Sequence, residues 1–159
     1  MELVKDLIDI LKSQEKLYQE MKHILECETE CVVTWDANKT IELVKKKDTL
    51  AYKEKILDEA FRTGLKKIEK ELGVEKLRVQ DVPEEFAGEY HSELTEIRLK
   101  LITVVKEVAR LNDSLKILYK TNMSLIEGVF GRLGLAGKNT YGINKGYGKG
   151  KTSTISKTG

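Results

Sequence analysis

Apolar side chains at the start of the chain recur at alternating steps of four and three residues. The members of this repeat are Leu3, Leu7, Ile10, Gln14, Leu17, Met21, Ile24, Glu28 and Cys31. Such a stripe lies along one face of an α-helix, whereas the side chains of a β-strand alternate at every residue. Neighbouring apolar residues widen the stripe into the broad face that a helix buries in a bundle. The repeat therefore predicts a long amphipathic helix that packs against other helices.

The same spacing returns twice further along the chain. The second stripe consists of Leu43, Lys47, Leu50, Glu54, Leu57, Phe61, Leu65, Ile68 and Leu72. The third consists of Leu94, Ile97, Leu101, Val104, Val108, Leu111, Leu115, Leu118, Asn122, Leu125, Val129 and Leu133. Charged residues make up 34% of the chain and there is one proline, a composition typical of long helices. We predict an all-α fold, an elongated antiparallel three-helix bundle or coiled coil, with helices over about residues 2–34, 37–72 and 89–134.

Two residues mark where the predicted helices begin and end. The carboxylate of Asp36 can accept a hydrogen bond from a free backbone N–H, so it is expected to cap the second helix. Gly73 is expected to cap its end. Residues 73–88 hold the only proline and lose the helical period, so they are interpreted as a connection. A short turn before Asp36 makes the first two helices antiparallel, which brings Glu28 level with Lys47 and predicts an ion pair between them.

Beyond Gly134 the composition changes to glycine, lysine, serine and threonine. Residues 137–159 carry five lysines and no acid, so this segment has a charge of +5 and the remaining residues carry −3 of the total of +2. A segment of this composition cannot bury enough apolar surface to offset its chain entropy. We therefore divide the chain into a helical bundle over residues 1–134 and a flexible basic tail over residues 135–159. Five lysines at this spacing are ordinary for a linker and do not predict nucleic-acid binding.

The tail contains GYGKGKT at residues 146–152, which resembles part of a phosphate-binding loop. Such a loop has the pattern G-x-x-x-x-G-K-[ST], follows a strand and opens a helix. Gly150, Lys151 and Thr152 fit its second half, but the position of the first glycine is occupied by Lys145. Few residues follow in which a helix could form. The match is explained by the tail's composition, and no nucleotide site is predicted.

The candidates for metal binding and catalysis are weak. His23, Cys27 and Cys31 share a helix face, but the outer two lie about 12 Å apart along the axis, too far for one zinc ion. No nucleophile and base are concentrated on a predicted loop, and the acids lie among lysines as on solvated helices. We expect no metal, no cofactor and no enzymatic activity. With no signal peptide and no apolar run of about 18 residues, the chain is expected to be cytoplasmic, not membrane-embedded, with reduced thiols.

The end of the third helix has more apolar residues than one helix face needs. We call the residues Met123, Leu125, Ile126, Val129, Phe130, Leu133 and Leu135 the C-terminal strip. An exposed strip of this kind commonly marks a partner site, and self-association through the same surface is the alternative. Asn122 interrupts the apolar stripe just before it. Such an asparagine either sets helix alignment or offers its amide to a partner, and both interpretations stay open.

These features occur in an order that resembles the flagellar export chaperones of the FlgN type. In the first half of the chain the resemblance is carried by Glu28, Asp36, Lys47 and Arg62. In the second half it is carried by the pair Leu111-Asn112, the segment from Asn122 to Leu135, and the motif Thr140-Tyr141-Gly142. The resemblance covers most of residues 1–147. It implies a helical chaperone that holds hook–filament junction proteins before type III export and meets the flagellar export gate through its tail.

Site residues follow from this resemblance together with the apolar pattern. The expected client-binding residues are Asn112, Leu118, Asn122, Leu125, Ile126, Val129, Phe130, Leu133 and Leu135. Tyr141 and Gly142 are expected to dock on the export gate, where an aromatic side chain in a tail serves as a short anchor. The expected partners are hook–filament junction proteins and the export gate. The alternative is a structural coiled-coil protein that oligomerises without a client.

Overall fold

Three long α-helices carry most of the buried side chains in the computed structural model, which describes residues 1–134. Helix α1 is Glu2–Val33 and helix α2 is Ala37–Leu72. After a connection come a 3-10 turn at Val79–Asp81, the short helix α3 at Glu84–Ala87 and a second 3-10 turn at Gly88–Tyr90. Helix α4 is His91–Arg132. Residues 1–134 contain no β-strand, so the predicted all-α fold with three long helices is confirmed.

The chain divides into two structural units. The first unit is Met1–Leu118, and the second begins at Tyr119. The first unit contains α1, α2, the connection and the part of α4 up to Leu118. The described part of the second unit is the remainder of α4 and residues 133–134. Every buried side chain in the described residues belongs to the first unit.

The predicted caps of the second helix are both present. Asp36 precedes α2, and its side-chain oxygen accepts a hydrogen bond from the N–H of Lys39 at 3.1 Å. Gly73 follows α2 with φ of 68°, and its N–H donates to the carbonyl of Glu69. A residue with a β-carbon is strained in this left-handed conformation, which explains the glycine there. Capping residues therefore located both ends of α2 correctly.

The larger core cluster joins the amino-terminal halves of α1 and α4. Its buried members are Val4, Leu7, Ile8, Leu11, Ile68, Leu77, Val82, Ala87, Leu94 and Ile97. The start of α1 thus meets the start of α4 and the end of α2. Within the first unit, α4 runs parallel to α1, and α2 runs antiparallel to both. This up-down-up order arises because a short turn joins α1 to α2, and the segment between Leu72 and His91 joins the end of α2 to the start of α4.

The connection at residues 73–88 packs into the core, although its apolar residues do not follow the helical period. Leu77, Val82 and Ala87 are buried in the larger core cluster. The N–H of Leu77 donates to the carboxylate of Glu69 at 2.7 Å, which fixes the connection to the end of α2. Burying a leucine or valine side chain contributes about 1.5–3 kcal/mol. The connection therefore closes one end of the bundle and stabilises it.

A smaller core cluster lies between the carboxy-terminal half of α1 and the middle of α4. Leu25, Val32 and Leu115 are its buried members, and Met21, Val108, Leu111 and Leu118 pack partly buried against them. Within the first unit, the two clusters consist largely of residues of the periodic stripes and their neighbours, because the apolar faces of the helices meet there. None of the helices in residues 1–134 is both long enough and apolar enough to cross a membrane.

Candidate functional site

A buried ion pair links α1 and α2 where the family pattern places an acid and a base. The side chain of Glu28 is fully buried, and the ammonium of Lys47 donates to its two carboxylate oxygens at 2.9 and 3.2 Å. The predicted pairing across the helical hairpin is therefore confirmed. A buried charge is stable only beside a partner, so a shift of α1 relative to α2 would leave Glu28 without its ammonium. This pair holds the two helices in one register.

A second polar contact joins the same helices, ten residues earlier on α1 and seven residues later on α2. The hydroxyl of Tyr18 donates to the carboxylate of Glu54 at 3.2 Å. Burial of the ring, together with the nearby charge of Glu54, raises the pKa of Tyr18 to about 12. Tyr18 therefore stays neutral and able to donate at any physiological pH. Together with the Glu28–Lys47 pair, it fixes the spacing between α1 and α2 along this part of the bundle.

The other two residues of the first half of the pattern have local roles. Asp36 caps α2, as described above. Arg62 is exposed, and its guanidinium lies 2.8 Å from the carboxylate of Asp58 one turn earlier. Exposed pairs of this kind contribute little to stability. Three of the four residues that carry the resemblance in α1 and α2 therefore build the hairpin.

Two of the expected client-binding residues, Asn112 and Leu118, lie in the first unit, and both are half-buried. Leu118 packs against the smaller core cluster, next to Leu115. Asn112 lines a groove of about 440 Å³ to which α1, α2 and α4 all contribute side chains. We call this the three-helix groove. It also contains Lys47 and Glu54, so the polar contacts of the hairpin form part of its wall.

The C-terminal strip lies in the second unit, and its most regular members are exposed. Leu125, Val129 and Leu133 are 58%, 44% and 68% exposed. Leu125 and Val129, four residues apart, lie on one face of α4, and Leu133 directly follows the end of the helix. Asn122, Met123, Ile126 and Phe130 are intermediate in exposure. Large apolar side chains aligned on an exposed helix face can bury substantial area against a partner helix.

Three of the expected site residues lie outside the described residues. These are Leu135 of the client-binding set and the expected gate-docking residues Tyr141 and Gly142. The predicted tail over residues 135–159 lies there as well.

Two of the residues considered as metal ligands are neighbours on α1. The thiol of Cys27 lies 3.7 Å from Nε2 of His23, whereas Cys31 is buried in the core. Within residues 1–134, no group of three or more His, Cys, Asp or Glu side chains is arranged to hold a metal ion. Both cysteines are free thiols.

The three-helix groove was missed by sequence reasoning. Its walls include Ala51, Val105 and Ala109, which flank the apolar stripes without belonging to them. A stripe identifies the residues that face the core, but the position of a groove depends on how three helices are placed around it. The only available signal was the presence of alanines beside the stripe, and that signal is weak.

One family model matches this chain over nearly its whole length. The model of the FlgN protein matches residues 1–153 of the 159. No curated protein and no solved structure matches the chain significantly. The match includes all of the residues that carry the resemblance in α1, α2 and α4, and it extends through the tail motif at Tyr141 and Gly142.

Proposed function

Because the chain belongs to the FlgN family of flagellar type III export chaperones, we propose that its clients are the hook–filament junction proteins. It binds the helical terminal segment of such a client in the cytoplasm and delivers it to the flagellar export gate. It acts by binding alone, with no catalytic step, no cofactor and no contact with nucleic acid. The observation that supports this most directly is the exposure of Leu125 and Val129 on one face of α4 and of Leu133 directly after the helix.

The mechanism proposed is the docking of one helix on another. An amphipathic segment of the client covers the C-terminal strip and is thereby prevented from assembling with other copies of itself. Asn122, which is half-buried beside the strip, offers an amide that can fix the register of the client helix. Tyr141 and Gly142 serve as the contact with the export gate, where an aromatic side chain acts as an anchor.

Replacing the exposed residues of the strip with glutamine tests this function. In the variant Leu125→Gln, Val129→Gln, Leu133→Gln, each change removes apolar contact with the client and keeps a residue that favours helix. Each lost interface contact costs about 1 kcal/mol, so affinity for the carboxy-terminal segment of a hook–filament junction protein should fall roughly hundredfold in calorimetry. An unchanged affinity would refute the strip as the client site.

A matched variant controls for the general loss of apolar surface. Ile41, Tyr52 and Leu99 are 55%, 68% and 53% exposed and lie in the first unit. Their joint replacement by glutamine should leave client affinity within about twofold of the native value, because surface changes away from a binding site have small effects.

Self-association through the strip is the second candidate function. The same exposure of Leu125, Val129 and Leu133 fits a symmetric helix pair. Light scattering of the chain without client distinguishes the two. A stable oligomer that the client cannot dissociate, and that the glutamine variant of the strip abolishes, would favour the structural coiled coil.

A further inference from the structure

The three-helix groove has the form of a channel along the helix axes. The residues that line it on α4 are Val105, Val108, Ala109 and Asn112, at spacings of i, i+3, i+4 and i+7. They extend about 10 Å along α4, and the lining residues of α1 and α2 extend a similar distance. A stripe of side chains at i, i+4 and i+7 on another helix covers the same length. The groove therefore matches a helical ligand in both direction and extent.

The base of the groove is apolar, and some of the side chains along its sides are short. Leu25 of the smaller core cluster is buried at the base, and Met21 lies partly buried beside it. Ala51 on α2 and Ala109 on α4 are exposed lining residues with only a methyl group as side chain. Small side chains allow a partner helix to approach closely and place its larger side chains at the base.

Some polar side chains in the groove already have an ion-pair or hydrogen-bond partner, and others do not. Lys47 is paired with Glu28, and Glu54 accepts the hydroxyl of Tyr18. Within residues 1–134, by contrast, neither the ammonium of Lys55 nor the side-chain amide of Asn112 has an ion-pair or hydrogen-bond partner. An ammonium at the edge of an apolar groove is complementary to a carboxylate on the ligand. An amide can both donate and accept, so it suits a polar side chain beside the ligand's apolar stripe.

We propose that the three-helix groove is a second docking site for the client, distinct from the C-terminal strip. Its ligand is an amphipathic client helix with an apolar stripe and a carboxylate opposite Lys55. In the complex this helix packs against α1, α2 and α4 and covers Met21, Ala51 and Ala109. The inference rests on the proposed function, because it takes the same client as the strip does.

Filling the groove tests this inference in the full-length chain. Ala109→Trp places an indole in the groove at a position that is exposed in the free protein, so the fold should be retained. The control is Thr103→Trp, an exposed position of α4 that does not line the three-helix groove. The probe is the carboxy-terminal segment of a hook–filament junction protein, titrated by calorimetry. We expect about tenfold weaker binding for Ala109→Trp and native affinity for Thr103→Trp.

A charge reversal provides a second variant, which does not fill the groove. Lys55→Glu should weaken binding of the same segment, and replacing one acidic residue of the segment with lysine should restore it. In NMR spectra of the labelled full chain, the side-chain amide signals of Asn112 should shift when the segment is added. Native affinity for both Ala109→Trp and Lys55→Glu would overturn the inference.

The two proposals fail in different ways. If the native chain does not bind the segment at all, the proposed function fails and the groove inference fails with it. If the native chain binds and the glutamine variant of the strip weakens binding, but neither Ala109→Trp nor Lys55→Glu does, then the function stands and only the groove is excluded. Weakening by both variants, with native affinity for Thr103→Trp, supports both sites.

Discussion

Individual polar residues set the alignment of α1 and α2. Glu28 is a fully buried acid, and the ammonium of Lys47 lies 2.9 Å from its carboxylate. Replacing such a pair with apolar residues is often neutral, whereas removing one partner leaves a buried charge without compensation. The pair is thus expected to specify the register of the hairpin more than to stabilise it.

Removing the ammonium alone should destabilise the chain. For Lys47→Met we expect the free energy of unfolding in urea to fall by about 2 kcal/mol, below the range for a fully buried pair because the Lys47 side chain is 25% exposed. The double variant Glu28→Met, Lys47→Met should recover most of that loss, since no charge is then buried. Equal losses in the single and double variants would show that the pair does not act as a unit.

At the scale of elements, the glycine inside α2 and the glycine that follows it have opposite roles. Gly73 ends the helix with φ of 68°, whereas Gly64 lies inside it. A β-carbon added at Gly64 would lie 3.5 Å from Leu7 Cδ1 and 3.8 Å from Ile10 Cδ1, which are ordinary van der Waals contacts. The same residue type is therefore required at one position and dispensable at the other.

Alanine substitutions at these glycines should change stability in opposite directions. Gly73→Ala forces a β-carbon into the left-handed region and should lower the free energy of unfolding by about 1 kcal/mol. Gly64→Ala improves helix propensity without a clash and should raise it by about 0.5–1 kcal/mol. The free energies of unfolding of both variants are measured by urea denaturation and compared with that of the native chain. A loss of stability in Gly64→Ala would mean that α1 and α2 approach too closely there for a methyl group.

At the scale of the whole molecule, the buried side chains and the proposed client contacts belong largely to different parts of the chain. The last buried side chain in the described residues is Leu115, whereas the C-terminal strip begins at Met123. Substitutions that lower the free energy of unfolding and substitutions that weaken binding at the C-terminal strip should therefore lie at different residues.

Removing residues 134–159 should separate these two properties. The free energy of unfolding is expected to stay within about 0.5 kcal/mol of the native value, because no side chain described as buried is lost. Client affinity should fall strongly, because we assign Leu135 and the following segment to the client contact. Urea denaturation and calorimetry on the same preparation check both statements. Unchanged affinity would restrict the client site to residues before 134.

The structure confirms the sequence predictions that rest on local patterns. The three stripes predicted the long helices, and Asp36 and Gly73 marked the ends of α2. The ion pair between Glu28 and Lys47 followed from counting residues on either side of a short turn. Each of these depends on residues that are close in sequence or on one antiparallel turn, so helical geometry is enough to derive it.

Tertiary structure alone decided the role of the connection and the existence of the groove. Leu77, Val82 and Ala87 have no helical period, yet all three are buried, because α1 and α4 together present an apolar surface that the connection covers. The three-helix groove likewise arises where α4 packs beside α1 and α2, from which it is far apart in sequence. Periodicity identifies which face of a helix is apolar. The positions of α1, α2 and α4 around one another determine how much of that face is covered, and no local pattern encodes them.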